Sequence, residues 1–197
     1  MTSPAFAILT VREQTPEVPG GWTEKKFSVR PGLTVYAACR VNGVLLATGC
    51  GAQGRCGLCR VRVAEGDAGE PTEKEQCRLS EESRRDGERL ACQIRVNGDL
   101  TVVTPPGTFA ARSVEVAVEE AEALTHDIRR LRMRLPANET FGFEPGQYTA
   151  FTIRGAGPDK PGGTRCYSFA SDPVLAASPG GYFDLIIRSV TQGLVSN

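Results

Sequence analysis

The stretch GCGAQGRCGLCRV at 49–61 places three cysteines and four glycines in thirteen residues, and no other feature constrains the fold of this chain as tightly. Cys50, Cys56 and Cys59 lie within it, and Cys92 follows at a distance, so the whole pattern is C-x5-C-x2-C-x32-C. The thiolate is the form of cysteine that ligates metal, and thiols this close suit a soft metal centre. Glycines 49, 51, 54 and 57 permit positive φ and close backbone approach, so that successive N–H groups can point inward as an anion-binding nest.

Several fillings compete for such a site. A structural zinc usually draws on two short knuckles, and here there is one, Cys56–Cys59, beside two single cysteines. A Rieske-type centre needs two histidines, whereas His126 is the single histidine and lies far down the chain. A [2Fe–2S] cluster held by four thiolates, three from a wrapping loop and the fourth from a distant strand, fits best. A glycine-rich loop with free thiols remains the plain alternative. Of the other cysteines, Cys39 falls on an expected helix and reads as a small buried hydrophobe, and Cys77 in a polar loop reads as a bystander.

The chain carries 23 basic and 23 acidic residues. Residues 1–105 hold 14 basic and 13 acidic, and the remainder 9 and 10. Without a basic bias or a Lys/Arg run, no nucleic-acid partner is expected. The start, MTSPAFAILTV, has no basic leader, and no apolar run approaches a membrane span, so the expectation is a cytoplasmic protein with no membrane partner and reduced cysteines.

Strands are expected at 7–13, 25–29, 59–63, 89–96 and 100–103, with a short helix at 35–41 capped by Thr34 and stopped by Asn42-Gly43. Residues 65–82 read as polar loop with one helical turn at 72–76. Thr104-Pro105-Pro106-Gly107 is the strongest break, giving a domain at 1–105, a linker at 106–112 and a second domain at 113–197. Further strands at 113–121, 128–135, 147–153, 166–170 and 182–190 argue for an antiparallel barrel or sandwich.

GCGAQGRCGLCRVRV followed by GERLACQIRV resembles the ferredoxin domain of bacterial iron–sulfur flavoprotein reductases over roughly residues 5–104. The resemblance implies an α+β fold, a β-grasp with one main helix across a small mixed sheet. The x5 gap departs from the plant-type x4 spacing and is more similar to vertebrate-type and sodium-pumping-reductase ferredoxin domains. Downstream, FEPGQY (143–148) and RCYS (165–168) stand in the order of the ferredoxin-reductase FAD barrel, which the second half resembles from about Ser113. By that resemblance Arg165 meets the pyrophosphate, Tyr167 the isoalloxazine ring and Ser168 the flavin N5, with Ile187 and Arg188 toward the ribityl or adenine side. Leu194, Val195 and Ser196 resemble the segment that opens a helix over the pyrophosphate. The bland readings are a strand-end charge for Arg165 and a barrel-core ring for Tyr167. No residue reads as catalytic, and His126 reads as a turn residue.

The same family continues after Ser196 with the end of the barrel and a nicotinamide domain, and no G-x-G-x-x-G follows a strand here. The chain therefore reads as the front of a longer reductase, holding the cluster firmly, FAD weakly or not at all, and NAD(P)H only in the longer parent. The implied function is electron transfer from NAD(P)H through FAD and the [2Fe–2S] cluster to a redox partner, the terminal component of a mono- or dioxygenase. A ferredoxin-type carrier or docking module without flavin is the alternative, and a sodium-pumping respiratory reductase component lacking its anchor is a third.

Overall fold

The computed structural model describes residues 6–15, 20–153 and 163–189. The chain divides into two compact units, Met1–Arg112 and Ser113–Asn197.

The first unit opens with β1 (Ala7–Gln14) and β2 (Trp22–Val29), then α1 (Val35–Val41) and β3 (Arg60–Gly66). It continues through α2 (Glu73–Arg78), α3 (Glu81–Arg85), β4 (Glu88–Leu90) and β5 (Leu100–Thr104). The five strands form one sheet in the order β2-β1-β5-β3-β4. Only the central β1/β5 pair is parallel. A mixed sheet with one helix across it is the β-grasp arrangement. Strand alternation puts Ala7, Leu9 and Val11 of β1 and Leu100 and Val102 of β5 into the core. Helix α1 meets them with Val35, Ala38 and Cys39, the i, i+3, i+4 face. Its start is set by Thr34, whose hydroxyl accepts the Ala37 N–H at 3.1 Å, and its end by Asn42 with Gly43 at φ 74°.

Three readings are amended in this unit. The stretch 89–96 is not one strand: β4 stops at Leu90, and residues 91–93 turn, with the Gln93 N–H on the Leu90 carbonyl at 2.7 Å. Its apolar residues are buried because the turn folds into the core, not because they alternate along a ladder. Cys92 therefore sits in a turn rather than on a strand. The polar stretch 65–82 holds α2 and most of its flanks, and α3 begins within it at Glu81. Each helix has a hydroxyl N-cap, Thr72 and Ser80, with acidic residues in its first turn. Residues 106–112, read as a linker, are tied to the first unit. Glu13 accepts the N–H groups of Gly107 and Phe109, and Lys25 Nζ lies 4.7 Å from the Phe109 ring centre.

The second unit contains β6 (Ala117–Ala123), β7 (Ile128–Arg134), β8 (Tyr148–Ile153), β9 (Gly163–Ser168) and β10 (Tyr182–Arg188). They form an antiparallel β10-β7-β6 sheet and a β8-β9 pair, joined by a bridge between Phe169 and Leu185. This is a barrel-like all-β unit. Its core is Met133, Leu135, Phe143, Phe183, Leu185 and Ile187, with Phe143 and Phe169 stacked at 4.0 Å. The strand expected at 113–121 begins only at Ala117, and all of β6 is exposed. Val114 and Val116, which make that stretch alternate, pack against the core ahead of the strand.

Candidate metal centre and flavin site

The loop between α1 and β3 carries three of the four thiols, and its backbone leaves the right-handed region repeatedly. Gly51, Ala52, Gly54 and Gly57 all have positive φ, from 63° to 74°. Gly49, expected to share this role, does not adopt positive φ; Ala52 takes it instead, at a conformation costing a non-glycine residue about 1–2 kcal/mol. The Ala52 N–H is held by the buried Thr48 hydroxyl at 3.0 Å.

Two pairs of the four cysteines interact electrostatically, Cys50 with Cys56 and Cys59 with Cys92. Cys59 and Cys92 are buried, at 2% and 6% exposure, while Cys50 and Cys56 are nearer solvent. N–H groups aim at the sulfurs: Gly49 at Cys56 (3.3 Å), Arg55 at Cys50 (3.4 Å), and the Gln93 side-chain amide at Cys92 (3.3 Å). Burial would raise the Cys50 pKa, but the N–H groups of Arg55 and Cys56 outweigh it and bring the thiol down to about 7. Cys59, with the donors of Gln93 and Gly54, lowers the Cys92 thiol to about 6 against the effect of burial. Cys59 is correspondingly raised, by Cys92 and by burial.

This donor set fits a two-iron cluster. A cluster of that type takes two thiolates on each iron, and N–H groups directed at sulfur suit its negative charge. A structural zinc site usually draws on two short knuckles, and this chain has one, Cys56–Cys59.

A buried ion pair holds the neighbouring chain against this site. Glu75, fully buried, accepts from Arg89 Nε at 2.9 Å and Nη2 at 3.0 Å, and from the Leu90 N–H at 2.9 Å. It also closes a capping box with Thr72. Arg89 spends its remaining donors on the carbonyls of Gly69 and Glu70, at 2.7 and 3.2 Å. Burial alone would raise the Glu75 pKa; Arg89 and the N–H groups of Leu90 and Thr72 reverse this and lower it. The network clamps 69–75 to β4, two residues before Cys92. T-E-K-E at 72–75 is a capping-box signature, so Glu75 could have been found from sequence; its long-range partner could not. Sequence reading also missed Gln93.

In the second unit β9 carries Arg165 and Tyr167 on one face, two residues apart. Arg165 donates to the Thr164 carbonyl at 2.8 Å. Tyr167 is half-buried against the core, which raises its pKa while the Arg165 charge opposes. Ser168 is exposed at the strand end, opposite Tyr148. Ile187 is buried in the core, at 4% exposure, so its side chain packs rather than reaching a ligand. Arg188 is exposed and paired to Asp127 at 2.6 Å. Leu194, Val195 and Ser196 lie outside the described residues. His126, 91% exposed, lies in the turn before β7.

Comparison with known proteins agrees with both halves. Residues 22–97 match the 2Fe-2S iron–sulfur cluster binding domain, and residues 115–197 the oxidoreductase FAD-binding domain. The chain is 36% identical over 149 residues to the reductase component of the naphthalene 1,2-dioxygenase system of Pseudomonas putida, covering 72% of this chain and 41% of that protein. It is 30% identical over 125 residues to one component of the Na+-translocating NADH-quinone reductase of Idiomarina loihiensis, covering 64% of this chain and 30% of that protein. The crystal structure of the Amycolatopsis cytochrome P450 reductase GcoB superposes with a TM-score of 0.55 at 26% identity, covering 96% of this chain and 51% of that one. The chain thus spans about half, or less, of the length of these relatives. No helix among the described residues is long and apolar enough to cross a membrane. In order and in fold, the chain is a 2Fe-2S cluster-binding domain followed by an oxidoreductase FAD-binding domain, and it belongs with the iron–sulfur flavoprotein reductases of ferredoxin-reductase type.

Proposed function

We propose that Cys50, Cys56, Cys59 and Cys92 hold the [2Fe–2S] cluster, and that Arg165, Tyr167 and Ser168 contact FAD. On this reading the protein hands electrons, in the cytoplasm, to the terminal component of a mono- or dioxygenase. When bound, FAD accepts two electrons from a reduced nicotinamide and the cluster carries them onward one at a time. The protein's part is positional. The loop presents three thiolates and the turn after β4 the fourth, with N–H groups aimed at the sulfurs, while β9 offers a guanidinium fork for phosphate and a ring for stacking.

The observation that carries this reading is the set of backbone and side-chain N–H groups aimed at the sulfurs of Cys50, Cys56 and Cys92. The oxygenase assignment draws on the similarity to the naphthalene dioxygenase reductase component. Metal analysis tests it: about two irons and two acid-labile sulfides per chain are required, and one zinc would end the redox reading. Titration of the cluster-loaded protein with FAD, following the flavin band after subtraction of the cluster spectrum, tests the second half. No flavin binding at any FAD concentration would leave a ferredoxin-type carrier.

A further inference from the structure

The surface beside the cysteine loop is lined by cations that no described carboxylate neutralises. Lys74 and Arg78 stand at i and i+4 on α2 and project from the same side of it. That side faces the loop. A Cβ placed on Gly54 would lie 2.8 Å from Lys74 Cδ, and one on Gly57 3.6 Å from Arg78 Cβ. Arg55 lies within the loop, its own N–H on the Cys50 sulfur. All three side chains are exposed, and none forms an ion pair among the described residues. The nearby carboxylates are engaged or turned away. Glu75 is buried on Arg89, Glu88 pairs with Arg60, Glu81 pairs with Arg85, and Glu73 projects from a different side of α2. Like charges at i and i+4 weaken a helix, so helix stability does not account for Lys74 with Arg78. Their charge is local: the first 105 residues as a whole are nearly balanced, at 14 basic and 13 acidic.

We propose that Arg55, Lys74 and Arg78 form a docking rim that receives an acidic face of the electron-accepting protein. Charge complementarity of this kind steers encounter and orients the partner more than it adds raw affinity. It places the acceptor beside the Cys50/Cys56 edge, the less buried of the two thiol pairs. The transfer is one electron, from the reduced cluster to the partner's oxidised centre, with no bond made or broken; reduced nicotinamide replaces the electron through the flavin. The inference rests on the cluster reading of the four cysteines.

The test uses the whole chain with its cluster, reduced by dithionite and mixed with either acidic plastocyanin or basic cytochrome c. At low salt plastocyanin is expected to react faster, with a rate that falls as salt rises. Lys74→Glu/Arg78→Glu is expected to slow plastocyanin about tenfold and to speed cytochrome c, with both effects vanishing at high salt. Lys74→Gln/Arg78→Gln should give smaller changes in the same directions. Unchanged rates in charge-reversed protein whose cluster absorption is intact would overturn the rim. So would a wild-type preference for cytochrome c, or DNA duplex binding lost in the variant while the transfer rates stay the same. A wild-type chain carrying no iron would instead remove the underlying cluster reading, a separate and recognisable outcome.

Discussion

In the first unit three of the four candidate ligands lie between residues 50 and 59, on a loop bonded largely to itself. In the second, Arg165, Tyr167 and Ser168 lie along one strand, with Tyr167 packed against the core. The contrast follows from what each group demands. A metal–sulfur centre needs atoms at fixed points, so the backbone must be driven into positive φ and each sulfur supplied with donors. A large planar cofactor needs a surface and a few directional groups, which strand alternation supplies without unusual backbone. The first kind of site is concentrated and brittle, the second distributed and tolerant.

The sharpest way to break that contrast is Cys92→Ser, expected to abolish the cluster's visible absorption and iron content, set against Cys77→Ser, which should leave both intact. An unchanged spectrum in the Cys92 variant would mean a different fourth ligand. Next comes the clamp behind it. Arg89→Met leaves Glu75 charged, buried and unpaired, and is expected to cost about 3–5 kcal/mol in denaturant unfolding. The pH dependence has a definite sign. Because the folded pKa of Glu75 is lowered, its contribution is complete above the ordinary carboxylate range and is lost as pH falls through the depressed folded value. Glu75→Gln should flatten that acid limb.

Leu185→Ala asks whether the units depend on each other. Leu185 is fully buried in the second core, so truncation should cost that unit about 2–5 kcal/mol while cluster absorption persists to the wild-type temperature. Coincident loss would show that the two unfold together. The smallest effect is expected of Gln93→Leu, which removes one N–H from the Cys92 sulfur. The cluster should survive with a lower midpoint potential, because that donor favours the more negative, reduced state. One hydrogen bond of about 1 kcal/mol corresponds to roughly 40 mV for a one-electron centre. A potential equal to wild type in redox titration would mean the bond is not retained when the cluster is loaded.

Much of this is legible in the chain. Thr34 and Asn42-Gly43 bound α1, and Cys39, which reads as a buried hydrophobe, is fully buried, its thiol pushed up to about 12. Capping and burial at such positions depend on neighbours a few residues away, which sequence displays. Sequence misleads where apolar content suggests a ladder. RLACQIRV holds only the last two residues of β4 and then a turn, and the start of SVEVAVEEA packs without pairing. Resemblance points Ile187 toward the flavin, and the structure buries its side chain in the second core.

By itself the sequence determined the cysteine pattern, the glycine-rich loop that can wrap it, and the order of the two domains, because each is written in short-range spacing. Tertiary structure decided which thiols pair, that Cys92 arrives on a turn, that Glu75 and Arg89 clamp the chain beside it, and that Lys74 and Arg78 crowd the loop's edge. Those are encounters between residues distant along the chain, and their partners are selected by the packing of the β-grasp core, which no local spacing specifies.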